Sequence, residues 1–341
     1  MTSTIKSVGY IGLGLAGGPL AQNVAQKGFK TIVRDADKEK QRKFVIENKK
    51  LPVEEAGAGP DAFKDVDVLI TMVPNGHIVR DILLGEQGIA PYMKPGRIFN
   101  SLSVERFADE DALGCVIVDT SSSDPFGTQQ LGKDLEKYQL RLVDSPVTQV
   151  RMHGINDGEA TFMIGGAQDD IDFAMPVLKT MSRWRFVMGP LGSGHVMKTF
   201  NNYVTAAGIA ALNDAFIVGR KMGLDPAQIT DVLNVGTGRN YGTAHSIRAE
   251  GLTRTYASGY GLALLVKDLG INLELCGKMG IDTQLAKHMH GLFKEALEEP
   301  NVEQSADYTE CLKLWERKAG FELPTAVGLK ECDEPRDFET P

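Results

Sequence analysis

A glycine-rich turn between an apolar strand and a helical segment constrains the fold of this chain more than any other feature. Residues 8–11 form a short apolar run that leads into Gly12, Gly14 and Gly17, and a helical pattern then continues to Lys27. In such a turn the first glycine permits a tight bend, the second lets the backbone approach a ligand, and the third lets the helix pack on the strand. The spacing predicts a parallel α/β unit whose first helix points its N-terminus at a phosphate group.

The next predicted strand supports this interpretation, because it ends at an acid. Residues 31–33 are followed by Asp35, whose carboxylate is placed to accept hydrogen bonds from a ribose diol and to repel the 2′-phosphate of NADP. The whole pattern favours NAD, although Arg34 and the basic residues that follow it keep NADP open as an alternative. We expect cofactor contacts from Gly12, Leu13, Gly14, Ala16, Gly17 and Asp35.

Two further apolar strands end in turns that would lie at the same edge of a parallel sheet. Residues 66–73 stop at Pro74, and residues 115–118 stop at a hydroxyl-rich turn. Ligands bind at the carboxyl ends of such strands, so Met72, Val73 and Pro74 are predicted near the cofactor. Ser121 and Ser122 are candidates for cofactor and substrate binding respectively, although serines before a helix are more often simple caps.

After the glycines at 192 and 194 the segment 193–222 contains no proline, which predicts one helix of about 40 Å. Lys198 and Asn202 are four residues apart in it, and therefore lie on one helix face where an ammonium and an amide could bind one small polar ligand. Most helical lysines are solvated surface residues. The apolar neighbours of Lys198, including Phe200, argue against that role here.

Beyond this helix the pattern is helical only, over residues 226–234, 261–279, 283–298 and 304–318. We predict an NAD-binding Rossmann-type α/β domain over 1–192 and an all-α substrate and oligomerisation domain over 193–320, joined by the interdomain helix 193–222. Residues 321–341 are predicted to be an acidic tail, mostly extended or disordered. Lys267 lies inside an otherwise apolar helix, where a cleft-facing position and an exposed one are equally consistent with the sequence.

Composition restricts the partners that such a chain can have. The 341 residues are 42% apolar and carry a net charge of −8, which describes a globular protein and disfavours nucleic acid as a partner. No apolar run reaches the length of a membrane span. The four cysteines lack zinc or redox spacing, and no other spacing predicts a metal site. We therefore expect free thiols and a cytoplasmic location.

Several motifs, in the same order, give the chain a resemblance to the β-hydroxyacid dehydrogenase family from about residue 7 to residue 319. They are GYIGLGLAGGPLAQNVAQKG at 9–28, ITMVPN at 70–75, DTSS at 119–122, DSPVTQV at 144–150, GSGHVMKTFNN at 192–202 and the pair Lys267-Asp268. Members of this family include relatives of 3-hydroxyisobutyrate dehydrogenase and of 6-phosphogluconate dehydrogenase. The resemblance implies a homodimer or homotetramer that acts on a small hydroxy acid.

The resemblance also assigns roles to individual residues. It implies that Lys198 is the catalytic acid/base, that Asn202 binds substrate, and that Lys267 lies near substrate or nicotinamide. It further places Thr148 and Gln149 in the substrate loop. The chemistry is reasonable, because the alcohol proton must leave as hydride moves to the nicotinamide. A lysine of ordinary pKa is a poor base at neutral pH, so burial or a second cation would have to lower its pKa.

The chain departs from the family pattern in two places, and the first affects the predicted substrate. Gln149-Val150 stands where the family has Gly-Gly, so side chains enter the substrate loop, and Gln149 or Arg151 could hold the acid. An apparent insertion at 97–114 has no functional account.

The predicted reaction is NAD-dependent oxidation of a 3-hydroxyisobutyrate-like acid to its semialdehyde or keto acid. The alternatives are reduction of tartronate or succinic semialdehyde, imine reduction, which Lys198 and Asp35 disfavour, and a non-catalytic nucleotide-binding scaffold.

Overall fold

The computed structural model describes residues 5–96, 114–148, 158 and 160–332. The chain divides into two compact units, Met1–Lys198 (unit 1) and Thr199–Pro341 (unit 2). The compact units divide at residue 198, inside the predicted helix 193–222, whereas the predicted functional domains divide before that helix. The domain bounds 1–192 and 193–320 therefore stay a prediction. No helix in the described ranges combines the length and the apolarity needed to cross a lipid bilayer.

Unit 1 is built on one sheet. Its strands are β1 (Ser7–Ile11), β2 (Lys30–Arg34), β3 (Val53–Glu55), β4 (Val68–Thr71), β5 (Val116–Asp119), β6 (Arg141–Asp144), β7 (Val147–Thr148), β8 (Ala160–Gly165) and β9 (Ser182–Gly189). Their order is β3-β2-β1-β4-β5-β6-β8-β7, with β9 paired to β8. The first six strands are parallel to their neighbours in the order 3-2-1-4-5-6, which confirms the predicted Rossmann-type fold.

The helices of unit 1 follow the strands in alternation. They are α1 (Gly17–Gln26), α2 (Lys38–Glu47), α3 (Gly76–Leu84), α4 (Pro125–Leu135) and α5 (Gln168–Met181). Side chains of Asp37, Asn75 and Asp124 cap α2, α3 and α4 by accepting from backbone N–H groups of the first turn. The central strands β4 and β5 are buried along their whole length, as expected for parallel strands with helices on both faces.

Strands β3 and β7 carry no apolar pattern from which the sequence would predict a strand. β3 has the sequence VEE at the edge of the sheet, and β7 is a two-residue pairing with β8. β8 pairs antiparallel with β6 and β7 and parallel with β9, so the sheet changes direction beyond β6.

The long helix predicted over 193–222 spans Ser193–Lys221 and is α6. It is followed in unit 2 by α7 (Pro226–Val235), α8 (Tyr241–Ala244), α9 (Leu262–Lys278), α10 (Gln284–Leu297) and α11 (Leu312–Ala319). Unit 2 has its own core, in which Phe216, Phe293 and Trp315 pack together with the apolar faces of these helices. The predicted all-helical character of this part of the chain is confirmed.

The structure corrects one helix prediction. Residues 304–318 were predicted as a single helix, but a short 3₁₀ turn at Tyr308–Cys311 precedes α11. The reason is Asp307, which caps this turn through Thr309 and also accepts from Ser258, so the chain before it is bent toward Gly261. The predicted insertion 97–114 and the substrate-loop residues Gln149, Val150 and Arg151 lie outside the described residues, apart from Gly114.

The described part of the predicted tail, residues 321–332, is extended but packed on unit 2. Leu323 is only 3% exposed, its backbone N–H donates to Glu316 Oε1 at 2.7 Å, and its carbonyl accepts from Arg254. Further along, the Ala326 N–H donates to the Leu252 carbonyl. Residues 333–341 lie outside the described part of the chain.

Candidate active site

The glycine turn has the geometry that its spacing predicts. Gly12 has φ +101°, and a Cβ there would lie 2.1 Å from the Met72 carbonyl oxygen. A Cβ on Gly17 would lie 2.1 Å from the Gly12 carbonyl oxygen, so helix and strand pack too closely for any other residue. A Cβ on Gly14, in contrast, would meet no protein atom within 4 Å. The packing of the chain itself does not require glycine at 14, whereas a pyrophosphate resting on this backbone would.

The start of α1 is suited to bind an anion. Its N-cap residue is Ala16, whose side chain cannot accept a hydrogen bond, whereas side chains cap α2, α3 and α4. Backbone N–H groups in the first turn of a helix need acceptors, and the helix dipole favours a negative charge there. The predicted cofactor residues of this turn therefore fit a dinucleotide pyrophosphate.

Asp35 joins the glycine turn to the end of β2. One carboxylate oxygen accepts from the Leu13 N–H at 2.7 Å, and the other accepts from the Asp37 N–H at 2.8 Å. The side chain is 9% exposed. Each carboxylate oxygen has a second lone pair, so these bonds leave acceptor capacity for ribose hydroxyls.

Two basic residues near Asp35, Arg34 and Lys38, are bonded to other partners. The Arg34 guanidinium donates to the carbonyls of Gly57 and Gly59 and lies 4.8 Å from the Phe63 ring centroid, and burial lowers its pKa. Lys38 Nζ donates to the Asp35 carbonyl at 3.1 Å and to Gln41. Both cations therefore have backbone or side-chain acceptors within unit 1.

The turns after β4 and β5 are held together. The Val73 N–H donates to Ser121 Oγ at 3.0 Å, and Thr120 Oγ1 donates to the Thr71 carbonyl at 2.7 Å. Asp119 Oδ1 accepts from the Ser121 N–H. Predicted cofactor residues from two different strands are thus brought to one edge of the sheet, with Met72, Pro74 and Ser122 beside them in sequence.

The start of α6 is anchored to the same edge. Asp144, at the end of β6, accepts from the N–H groups of Gly192 at 2.7 Å and His195 at 2.8 Å. A Cβ on Gly194 would lie 2.1 Å from the Met163 carbonyl oxygen, so this turn packs directly on β8. Burial raises the pKa of the Asp144 carboxyl, while the His195 ring and the two N–H donors oppose that rise. Lys198, which is partly buried, follows one turn later.

In unit 2 a carboxylate connects two predicted substrate residues. Asp268 Oδ2 accepts from Asn202 Nδ2 at 2.6 Å and from the Tyr260 hydroxyl at 2.6 Å, and its Oδ1 lies 3.0 Å from Lys267 Nζ. Asn202 Nδ2 also lies 3.1 Å from the Tyr260 hydroxyl oxygen, and Asn201 donates to Asn202 Oδ1. Burial, followed by the Asp268 charge, raises the pKa of Tyr260 well above its usual value, so this phenol remains a donor at neutral pH.

Two residues of this arrangement were not singled out from the sequence. His195 lies inside the motif that starts α6, but a histidine there has no recognisable spacing to its partners. Tyr260 precedes α9 in a loop, and only the folded chain brings its hydroxyl to Asp268. Thr148 lies in β7 with a partly buried side chain, and Gln149 is outside the described residues. Within those residues no group of three His, Cys, Asp or Glu side chains could hold a metal ion.

The fold and the glycine turn define a dinucleotide-binding protein, and comparison with known families makes that class specific. The family model described as the NAD binding domain of 6-phosphogluconate dehydrogenase matches residues 7–113 and 105–189. The model described as NAD-binding of NADP-dependent 3-hydroxyisobutyrate dehydrogenase matches residues 192–315. The chain therefore belongs to the β-hydroxyacid dehydrogenase family, and it is an NAD(P)-dependent oxidoreductase of a family that acts on small hydroxy acids.

Individual relatives agree with this assignment. A probable mitochondrial 3-hydroxyisobutyrate dehydrogenase of Dictyostelium discoideum is 29% identical over 298 residues, which are 86% of each chain. The 2-(hydroxymethyl)glutarate dehydrogenase of Eubacterium barkeri is 26% identical over 95% of this chain and 99% of its own. The fold matches that of a Mycobacterium tuberculosis 3-hydroxyisobutyrate dehydrogenase with a TM-score of 0.76, at 21% identity, over 91% of this chain and 99% of that one.

Proposed function

We propose that the protein catalyses the NAD-dependent oxidation of a small β-hydroxy acid, similar to 3-hydroxyisobutyrate, to its semialdehyde or keto acid. Hydride moves from the carbinol carbon to the nicotinamide, and Lys198 takes the alcohol proton. The observation that carries the proposal is the anchoring of α6: Asp144 and His195 tie its start to the carboxyl edge of the dinucleotide-binding sheet. This anchoring supports the proposal, because the lysine lies one turn after the anchored start of the helix.

Asn202 and Lys267 are proposed to bind the substrate, and Lys267 also to approach the nicotinamide. Their shared contact with Asp268 supports this, because a buried carboxylate holds both side chains and limits their rotamers. Ser122, Thr148 and Gln149 are proposed as further substrate contacts. Residues held by such supporting hydrogen bonds bind a ligand without first losing side-chain freedom.

We propose that the cofactor is NAD rather than NADP. A 2′-phosphate would have to approach the Asp35 carboxylate, and charges of the same sign repel each other most strongly where water is excluded. The guanidinium of Arg34, which could have offset that repulsion, is engaged by the carbonyls of Gly57 and Gly59. Lys38 is likewise bonded to a backbone carbonyl and to Gln41.

Replacing Lys198 tests the mechanism. Lys198→Ala should lower kcat by on the order of a hundredfold or more, because a general acid/base contributes that much. The dissociation constant of NADH, measured by fluorescence titration, should change by less than about twofold, since the proposed cofactor contacts lie at other residues. Lys221→Ala, at the exposed end of the same helix, is the matched control and should retain wild-type turnover. An unchanged kcat in Lys198→Ala would remove this lysine from the mechanism.

A substrate panel tests the reaction class. The oxidation assay contains 3-hydroxyisobutyrate, L-serine, glycerate, 4-hydroxybutyrate and 2-(hydroxymethyl)glutarate with NAD, and the reverse assay contains tartronate and succinic semialdehydes with NADH. The glutarate derivative is included because its dehydrogenase is similar to this chain over nearly its full length. Activity in the reverse assay alone would favour a semialdehyde reductase. NADH binding without any turnover would favour a nucleotide-binding scaffold.

A cytoplasmic location and a homodimeric or homotetrameric state belong to the same proposal. The four cysteines are free thiols, as a reducing compartment requires, and relatives with mitochondrial names make cell fractionation the deciding measurement. Unit 2 exposes several large apolar side chains, among them Val204, Val218 and Met222, which suits an oligomer. Light scattering coupled to gel filtration measures the oligomeric mass.

A further inference from the structure

His195 is a fully buried histidine in the first turn of α6, and both of its ring nitrogens have partners. Nε2 lies 3.0 Å from the Ser121 carbonyl oxygen, and Nδ1 lies 2.9 Å from Thr128 Oγ1. A carbonyl oxygen only accepts, so Nε2 carries a proton and donates it to Ser121. The ring thus connects α6 to the turn after β5 and to α4.

The surroundings of the ring are unusually polar for a protein interior. Asp144 Oδ2 lies 3.7 Å from Nδ1, and Asp119 Oδ2 lies 3.8 Å from Nε2. Both carboxylates are at most 1% exposed and have other donors: Asp119 accepts from Thr71, Ser121 and Ser123, and Asp144 from two N–H groups of the α6 start. Polar networks of this kind are expensive to bury and lock the elements that they connect.

The network leads from the cofactor side of the sheet to the proposed acid/base. Val73 donates to the Ser121 hydroxyl, the Ser121 carbonyl accepts from His195, and Lys198 lies one helical turn after His195. Residues three apart in a helix lie on neighbouring faces, so any rotation or sliding of this turn displaces the Lys198 side chain. The imidazole resists such movement, because its two hydrogen bonds go to elements outside the helix.

We propose that His195 is a positioning residue of the reaction, which fixes the first turn of α6 against the Ser121 turn and thereby places the Lys198 amine relative to the nicotinamide. This inference rests on the proposed role of Lys198. It assigns to His195 no proton transfer and no contact with substrate. A displacement of an acid/base by about 1 Å can cost about a hundredfold in rate, so the effect falls on turnover and not on cofactor affinity.

Two substitutions of His195 distinguish the contributions of its two ring nitrogens. Gln places an amide nitrogen near the position of Nε2 and can keep the bond to Ser121, whereas Asn reaches only the position of Nδ1. His195→Asn should lower kcat at least tenfold. The KM for NAD and the dissociation constant of NADH should stay within about twofold of the wild-type values. The kinetic isotope effect on kcat, measured with substrate deuterated at the carbinol carbon, should rise. His195→Gln should restore most of the lost turnover.

The matched control is His245→Asn, which replaces another buried histidine, in unit 2. It should lower the thermal midpoint without altering the isotope effect. If His195→Asn does not fold by circular dichroism, Thr128→Val removes the Nδ1 partner without changing α6 and should lower kcat about three- to tenfold with NADH binding retained. Equal losses in His195→Asn and His195→Gln, or a loss shared by kcat and NADH affinity, would overturn the positioning role.

A measurement without turnover distinguishes failure of this inference from failure of the proposed function. Lysines are reductively methylated with ¹³C-formaldehyde, and the Lys198 resonance is identified by its absence in Lys198→Ala. Its chemical shift and titration midpoint should change in His195→Asn and return toward the wild-type values in His195→Gln, whichever substrate the enzyme uses. An unchanged Lys198 resonance in His195→Asn would refute the inference. If the resonance changes but no compound of the substrate panel is turned over, only the proposed reaction is refuted.

Discussion

At the scale of single residues, the end of β2 shows how one carboxylate can serve both the fold and the choice of cofactor. Asp35 accepts from Leu13 in the glycine turn and from Asp37 at the start of α2, so it shapes the surface on which the adenosine ribose would rest. In the proposed cofactor site, the same negative charge would repel a 2′-phosphate. The proposal therefore predicts that stability and cofactor preference are coupled at this residue.

The coupling gives a prediction for Asp35→Asn. The variant keeps the size of the side chain but loses the charge, so the ratio of kcat/KM for NAD to that for NADP should fall at least about tenfold, which corresponds to about 1.4 kcal/mol. One of the two N–H donors loses its acceptor, and the free energy of unfolding should fall by about 1–3 kcal/mol. Steady-state kinetics with both cofactors and a urea titration measure the two effects.

The matched control is Asp37→Asn, which removes the same charge two residues away at an exposed helix cap. Asn caps a helix about as well as Asp, so stability should be nearly unchanged. A cofactor ratio that shifts equally in both variants would mean that the general electrostatic field, and not the Asp35 carboxylate, sets the preference.

At the scale of secondary structure elements, α6 and α9 are connected by a buried carboxylate. Asp268 of α9 accepts from Asn202 of α6 and from Tyr260, which lies just before α9. Because burial and the adjacent Asp268 charge hold the pKa of Tyr260 well above its usual value, its hydroxyl donates throughout the pH range of an assay. The orientation of Asn202 therefore depends on a loop residue that the helices themselves do not contain.

Tyr260→Phe tests this dependence. The change removes one oxygen and leaves the ring, so unit 2 should fold with a loss of about 1–3 kcal/mol, since Asp268 loses one of its donors. Asn202 becomes less constrained, and the KM for the hydroxy acid should rise about three- to tenfold while the KM for NAD changes little. Tyr308→Phe, a second buried tyrosine whose ring lies 5.5 Å from Tyr260, is the control and should leave substrate KM unchanged. Equal KM changes in both variants would contradict the assignment.

At the scale of the whole molecule, each compact unit has buried apolar clusters of its own, and residues 321–332 complete the core of unit 2. Arg254 donates to Glu316 and to the carbonyl of Leu323, so an ion pair and a buried leucine hold residues 321–332 in place. A segment that looked like a tail from its acids and prolines is thus part of the unit 2 fold.

Leu323→Ala measures the contribution of this segment. Removing a buried leucine side chain should lower the free energy of unfolding by about 2–5 kcal/mol. Val327→Ala, at a side chain that is 96% exposed, should have little effect. Differential scanning calorimetry records the transitions of the two units separately if they unfold independently. An equally large fall in the free energy of unfolding in Val327→Ala, or no fall in Leu323→Ala, would show that residues 321–332 do not stabilise unit 2 through Leu323.

The sequence by itself determined the Rossmann-type sheet, the glycine turn, the acid after β2 and the long helix, because each depends on local periodicity or on steric limits at single residues. Gly12 and Gly17 could be recognised since only glycine fits those backbone positions. Tertiary structure alone decided the partners of His195, the donation of Tyr260 to Asp268, and the packing of Leu323. The contacts of His195 with Ser121 and of Leu323 with Arg254 join residues far apart in the chain, and such hydrogen bonds leave no spacing in the sequence from which they could be inferred. Tyr260 lies near Asp268 in sequence, but its donation depends on the path of the loop before α9, which no helical spacing predicts.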